Sequence, residues 1–186
     1  MSIREPGVTH AISDTGPVIS IFQSDSLQVV TSLLARIHIP AACVDELIRH
    51  GWEASLRSAG SGIESHFLTQ AEEEVAWAIA GQIASHPLSR DSMPDRHLGE
   101  AQAMVLAARP EYVNDVLLLD ELAARTVAEE IGLPLSGFAG VLLVAVQEGL
   151  LTADGLRDRL KICQSQGTRY SEAFIERIYL AAKGDG

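Results

Sequence analysis

Two short apolar runs, each ending on an aspartate and each passing at once into helical spacing, restrict this chain more than any other feature. They are His10-Ala11-Ile12-Ser13 before Asp14, and Val116–Leu119 before Asp120. A short apolar run stopped by a polar turn suits a strand buried on both faces, the kind found inside parallel sheets. After Asp14, Thr15-Gly16-Pro17 reads as a helix start, because proline is tolerated in a first turn where its missing N–H has no partner to lose. Val18, Ile19, Ile21 and Phe22 carry the helical spacing onward, and it resumes at Leu27, Val30, Leu33 and Leu34.

The rest of the chain continues the alternation. A strand is read at Ile37-His38-Ile39, stopped by Pro40, and a helix from Ala41 to His50 closed by Gly51. Residues 58–62 read as a loop, followed by a strand near Ile63–Leu68 and a helix from about Glu72 to Ala84. Glu72, Glu73 and Glu74 fall in the first turn of that helix, where negative charge complements the helix dipole. Ser85–Arg96 holds two prolines and mixed charge and reads as an exposed, mobile loop. Leu98 to Ala108 is helical, with Ala101, Met104, Val105 and Ala108 on one side. Beyond Asp120 come a helix over Leu122–Ile131 stopped by Gly132 and a short strand at Leu133-Pro134-Leu135. Helices near Phe138–Glu148, Ala153–Ser165 and Ser171–Ala182 complete the chain. Strands alternating with helices through short connections predict a parallel α/β sheet in one domain. No internal repeat or low-complexity segment interrupts it.

Composition limits the function classes. At 186 residues, 47% of them apolar, the chain can bury a full core, and no apolar run reaches the ~20 residues of a membrane helix. MSIREPGVTH lacks the apolar centre of a signal peptide, so a cytoplasmic protein is expected. Cys43 and Cys163 stand in no metal-ligand spacing and read as buried free thiols. The 14 basic and 25 acidic residues give a net charge of −11, which argues against a broad duplex-binding surface. It does not exclude a nuclease, since bound divalent cations invert the sign of a carboxylate-rich site.

Carboxylates are therefore the candidate chemistry. Ligands of an open parallel sheet collect at the carboxyl ends of its strands, where Asp14 and Asp120 are expected. If those strands are neighbours, the two acids meet at one sheet edge, and the helix residues Glu46 and Glu100 can lean over the same edge. Three or four such acids can hold magnesium or manganese, hard cations that favour carboxylate oxygen and water. Each acid also has a structural alternative: Asp14 and Asp120 as helix N-caps, Glu46 and Glu100 as solvated helix residues. His97 beside Glu100 has no cysteine or second histidine nearby in sequence, which argues against zinc there. Arg90, Asp91, Asp95, Arg96 and His97 are either a substrate channel or a plain surface loop.

The ordered set of motifs adds to this. Ile12-Ser13-Asp14-Thr15-Gly16-Pro17-Val18-Ile19 resembles the opening motif of PIN-domain proteins, in particular a prokaryotic PIN-like branch. Ile39-Pro40 with Val44-Asp45-Glu46-Leu47, then Gly99-Glu100-Ala101-Gln102-Ala103, follow in that branch's order. Leu117-Leu118-Leu119-Asp120-Glu121 comes next, with Ala124-Arg125 and Ala128 just beyond it. Leu133-Pro134-Leu135-Ser136-Gly137, Gly140-Val141-Leu142-Leu143 and Gly149-Leu150-Leu151 resemble its closing segment. The resemblance spans about residues 10–182 of a single domain. It implies a three-layer α/β/α fold around a parallel sheet, and magnesium- or manganese-dependent cleavage of RNA. Asp14, Glu46, Glu100 and Asp120 would be the catalytic and metal-binding acids, with Glu121 an extra or water-mediated ligand. Thr15 would hydrogen-bond a metal-bound water. Arg125 would meet a phosphate or hold an acid, its structural alternative being an ion pair on its own helix. Many such relatives are VapC-type toxins of toxin–antitoxin pairs, which implies a small antitoxin partner, and a homodimer is expected by the same analogy. The segment from about Gln70 to Arg96 is longer than a minimal relative needs.

Other classes fit less well. A PIN-like module that no longer cuts and acts by binding protein or RNA is the alternative reading, and the presence of all four acids argues against it. An aspartyl-phosphate phosphatase would want a second acid two residues after Asp14, where Gly16 stands. A receiver domain would want paired acids in Met1–Ser13, which offers Glu5 alone. No glycine-rich phosphate loop follows the first strand, which counts against dinucleotide binding.

Overall fold

The structure is a computed structural model, and it describes residues 9–184. The opening residues weighed above as a signal peptide, Glu5 among them, lie outside the described residues except for Thr9 and His10. Five strands form one parallel sheet: β1 (His10–Ser13), β2 (Arg36–Pro40), β3 (Ile63–His66), β4 (Val116–Leu118) and β5 (Leu135–Ser136). Their spatial order is β3-β2-β1-β4-β5, with β1 at the centre. Ile12 stands opposite His38 on one side and Leu117 on the other.

Helices cover both faces. α1 (Thr15–Gln23), α2 (Leu27–Leu33), α3 (Ala41–Arg49) and α4 (Glu53–Ala59) precede β3; α5 (Gln70–Ser85) and α6 (Leu98–Ala107) precede β4. α7 (Leu122–Glu130) joins β4 to β5, and α8 (Phe138–Gln147), α9 (Ala153–Ser165) and α10 (Glu172–Lys183) follow. Alternate strand residues point to opposite faces, so the sheet feeds two cores. Ala11, Ile37, Ile39 and Leu118 pack with Val18, Ile21, Leu47, Phe138, Leu142 and Leu160 on one side. Ile12, Leu117 and Leu119 pack with Ala76, Ala80, Ile83, Met104 and Leu106 on the other. This is the expected three-layer α/β/α arrangement. No helix among the described residues is long and apolar enough to cross a membrane. Cys43 and Cys163 are free and buried.

Local rules account for most boundaries. α5 begins in a capping box, in which Glu72 N–H donates to the Thr69 hydroxyl and the Glu72 carboxylate accepts from Thr69 N–H. The Glu72 carboxylate also accepts from Arg109 at 2.7 Å, and these contacts bring its pKa down to about 2. α7 stops before Gly132, whose φ of 79° is a left-handed conformation that glycine adopts without a Cβ clash.

Three expectations need correction. The loop expected over 58–62 is instead the end of α4 and a 3-10 turn, Gly60–Gly62. α4 buries no residue, so it leaves no apolar periodicity to read. The strand expected at Leu133-Pro134-Leu135 sits one step later, at Leu135–Ser136, because Pro134 has no N–H to give and contributes only its carbonyl, to Leu117 N–H. The Ser85–Arg96 connection carries local structure: Ser89 N–H bonds to the His86 carbonyl, Met93 N–H to Asp91, and a 3-10 turn covers Pro94–His97.

Candidate active site

The carboxyl ends of β1 and β4 are adjacent, since Ser13 pairs with Leu118 in register. Asp14 therefore leaves the sheet beside Leu119-Asp120. β2 lies on the other flank of β1 and delivers Glu46 from α3, while Glu100 comes from the first turn of α6. A cleft of about 540 Å3 opens here, and its lining includes Asp14, Thr15, Glu46, Arg49, Arg96 and Glu100.

Asp14 precedes α1, yet its side chain makes no cap hydrogen bond, so the capping alternative does not describe it. The carboxylate is buried and its Oδ1 has no hydrogen-bond partner. The Gly16 N–H is close enough to favour the charged form electrostatically, though outside cap geometry. Burial, with the charges of Glu100, Asp120 and Glu46, pushes its pKa well above the ordinary carboxylate range. Glu100 is raised for the same reasons: burial first, then Glu121 and Glu46, against the opposing pull of its own backbone N–H and His97. Thr15 donates its hydroxyl to Glu46 Oε2 at 2.5 Å, which fixes that carboxylate over the cleft.

Asp120 sits deeper. Its Oδ1 accepts from Phe138 N–H at 3.1 Å and its Oδ2 from the Tyr170 hydroxyl at 3.3 Å. The first of these satisfies an orphan donor at the N-terminus of α8, so Asp120 does act as a cap, of a helix remote in sequence rather than of the next one. The cap of α7 is Glu121, whose carboxylate accepts from Ala124 N–H at 2.7 Å. Burial raises the Asp120 pKa, opposed by the Phe138 and Tyr170 hydrogen bonds and by Arg125. Arg125 gives Nη1 to the Leu119 carbonyl at 2.8 Å, bracing the turn that carries Asp120. Gly137 closes against this group: a Cβ there would stand 2.6 Å from Asp120 Oδ1 and 3.2 Å from Arg125 Nη1.

Of the segment before α6, Asp95 and Arg96 line the cleft, while Arg90 and Asp91 are not among its lining residues. His97 is buried, and its Nε2 lies 2.8 Å from the Asp91 carbonyl, folding the loop back on itself. Arg49, Tyr170 and Gly137 were not singled out from sequence. Arg49 and Arg96 both face solvent at the rim of an acidic cleft; Arg96 was among the channel candidates, whereas no local pattern sets Arg49 apart from other surface arginines. A histidine row on β1, β2 and β3 was also missed, although His10, His38 and His66 repeat at an interval of 28 residues, each in a strand segment.

The donor set fits a hard divalent cation. It consists of carboxylates whose charges disfavour one another's ionisation, with one buried oxygen left unpaired, and a cation held among them would relieve both conditions. No curated protein matches the chain. A family model described as PIN domain matches residues 10–183. That match covers nearly all of the chain and the whole of the sheet, and the chain accordingly belongs to the PIN-domain family, a family of nuclease fold.

Proposed function

We propose that this protein is a magnesium- or manganese-dependent endonuclease that hydrolyses phosphodiester bonds of RNA. The observation that carries the reading is the buried, unpartnered Oδ1 of Asp14 at the floor of a cleft shared with Glu46 and Glu100. Asp14, Glu46 and Glu100 would hold the cation. Asp120 would join them through the second lone pairs of oxygens already fixed by Phe138 and Tyr170, and Glu121 through a water. A bound dication supplies a water of lowered pKa and neutralises charge that builds on the phosphate.

The protein's own groups do the rest. The Thr15 hydroxyl holds Glu46 in place. Arg49 and Arg96, at the solvent side of the cleft, would take the flanking phosphates of a single strand. Arg125 would keep the Asp120 turn rigid rather than touch substrate, since its Nη1 is bound to the Leu119 carbonyl. The proposal extends to a cytoplasmic toxin neutralised by a small antitoxin protein, and to a homodimer, for which exposed Phe67, Trp77 and Met93 offer apolar surface.

The test is cleavage of a labelled RNA pool by purified protein with manganese or magnesium, beside single-stranded DNA of matched sequence. Cleavage of RNA that stops in chelator and in Asp14→Asn is expected. Metal-independent cleavage, or equal activity in Asp14→Asn, would overturn the site. Binding of RNA or of a partner protein without any cleavage would leave the silent-module reading in its place.

A further inference from the structure

Three of the six histidines lie in one row across the sheet. His10 Nδ1 is 2.8 Å from His38 Nε2, and His38 Nδ1 is 2.8 Å from His66 Nε2. Glu64, on the edge strand beside His66, completes a group in which one donor atom each from His38, Glu64 and His66 lies within 4.8 Å of the others. The row is on the face of β2 that carries Ile12's register partner, and Tyr112 packs on it with ring centroids 4.7 Å from His38. It belongs to β1, β2 and β3 and shares no residue with the lining of the acidic cleft.

We propose that His38, Glu64 and His66 bind a zinc-type transition-metal dication that fastens the edge strand β3 to β2, with His10 as the hydrogen-bond acceptor that orients His38. Two imidazole nitrogens and one carboxylate oxygen are the donor set such ions prefer, and magnesium does not compete well for nitrogen. Metal–ligand bonds of about 2.0–2.2 Å in a tetrahedron place donor atoms roughly 3.3–3.6 Å apart. The His38 and His66 nitrogens need to separate by only a fraction of an ångström from their present contact, and the carboxylate to swing inward. Arg36 holds Glu64 through Oε2, which leaves its Oε1 for the ion.

The proton inventory closes. Two neutral imidazoles carry one N–H each, and one of these lies in the His38–His66 contact. On coordination His38 keeps its proton on Nε2, donated to His10 Nδ1, and His66 keeps its proton on Nδ1, so no net proton is released. His38 is neutral at physiological pH because burial and the neighbouring rings of His66 and His10 bring its pKa down to about 4. Burial and the Arg109 and Arg36 charges likewise lower His66, against Glu64 and Glu111. A ligating histidine characteristically donates its other N–H to an acceptor, the place His10 occupies. Arg109 is paired with Glu72, and Arg36 would share Glu64 with the ion, one on each carboxylate oxygen.

The full chain, stripped with chelator and held in millimolar magnesium to occupy the acidic cleft, is titrated with cobalt(II) and with zinc. One equivalent should bind, with the visible absorption of a four-coordinate cobalt ion displaced by zinc. At a hundredfold excess of zinc over Kd the melting temperature should rise by about 5 to 10 °C. His66→Gln should weaken zinc binding at least about 100-fold, and His10→Gln about 10- to 100-fold. Should His66→Gln fail to fold by circular dichroism, Glu64→Gln at the half-exposed edge replaces it, with the same loss expected. Absence of zinc binding to the wild type, or equal binding by wild type and a folded ligand variant, overturns the site. Cobalt binding lost in Asp14→Asn but kept in His66→Gln would also overturn it, by assigning the ion to the cleft.

Discussion

Gly137→Ala tests how Asp120 is held. An added Cβ would lie 2.6 Å from Asp120 Oδ1, 3.2 Å from Arg125 Nη1 and 3.3 Å from the Leu119 carbonyl. The first distance is too short for any real contact, and the carboxylate cannot swing aside freely because Phe138 N–H and the Tyr170 hydroxyl both hold it. Relief requires breaking at least the Phe138 bond, which leaves a buried helix N-terminal N–H without an acceptor. A hydrogen bond to a charged group contributes about 1.5–3 kcal/mol, and partial loss of the Tyr170 contact adds to it, so a destabilisation of about 2–4 kcal/mol is expected. For a chain of this size that is a fall in melting temperature of about 4–16 °C, read by circular dichroism. Gly99→Ala is the matched control. Its Cβ would meet Cys43 Sγ at 3.8 Å and Glu46 Oε2 at 3.9 Å, ordinary contacts, inside a helix where alanine gains about 0.5–1 kcal/mol over glycine. A Gly137→Ala protein that melts with the wild type and cleaves RNA equally well would refute the packing argument and the placing of Asp120 in the site.

Two further outcomes concern charge. Asp14→Asn should stabilise the metal-free protein by about 1–2 kcal/mol while abolishing cleavage, because it removes a buried charge repelled by Glu100, Asp120 and Glu46. The sign follows from linkage: a carboxyl whose folded pKa is raised gives stability at low pH that is lost as pH rises through the folded value, so the variant should flatten that loss in urea titrations from about pH 4 upward. No gain in stability would mean that the acids do not repel as described. His38 has the opposite sign, since its folded pKa is lowered, to about 4. Its contribution is present above the ordinary 6.5 and is lost as pH falls towards 4. The full interval corresponds to ~3 kcal/mol, trimmed to about 2 kcal/mol because the row reaches solvent at His10 and His66. A His38 ring resonance that titrates near 6.5 in NMR would contradict this.

The two aspartate-terminated runs made the centre of the sheet legible, because strands buried on both faces are written as unbroken apolar runs. Which acids would converge was legible only through motif order, since Glu46 and Glu100 carry no local mark that separates them from solvated helix residues. Asp14 as a cap was a sound local inference that tertiary structure set aside, while Asp120 kept a capping role for a partner 18 residues away that no local pattern could name. α4 was illegible because it contributes nothing to the core. The histidine row was illegible for a different reason: its members touch across strands, and such contacts are written in sequence only as a repeat of strand-to-strand intervals.

The acids of the candidate site are compensated unequally, and that inequality separates their proposed roles. Asp120, Glu46 and Glu121 each accept at least one protein hydrogen bond, whereas Asp14 Oδ1 accepts none. Arg125 favours the charged form of Asp120 while its Nη1 is bound to a backbone carbonyl, and it is not among the cleft-lining residues. Positive charge among the cleft-lining residues therefore stands at the rim, on exposed Arg49 and Arg96. A rim charge adds binding that is equal in the ground and transition states. Its removal in Arg49→Gln or Arg96→Gln should accordingly raise KM several-fold and leave kcat nearly unchanged. Each loss should also lower the slope of log affinity against log salt by about 0.7, the value for one phosphate contact to a single strand. A fall in kcat with KM and salt slope unchanged would place these arginines in the chemistry itself, and the division between a cation-holding floor and a phosphate-holding rim would have to be abandoned.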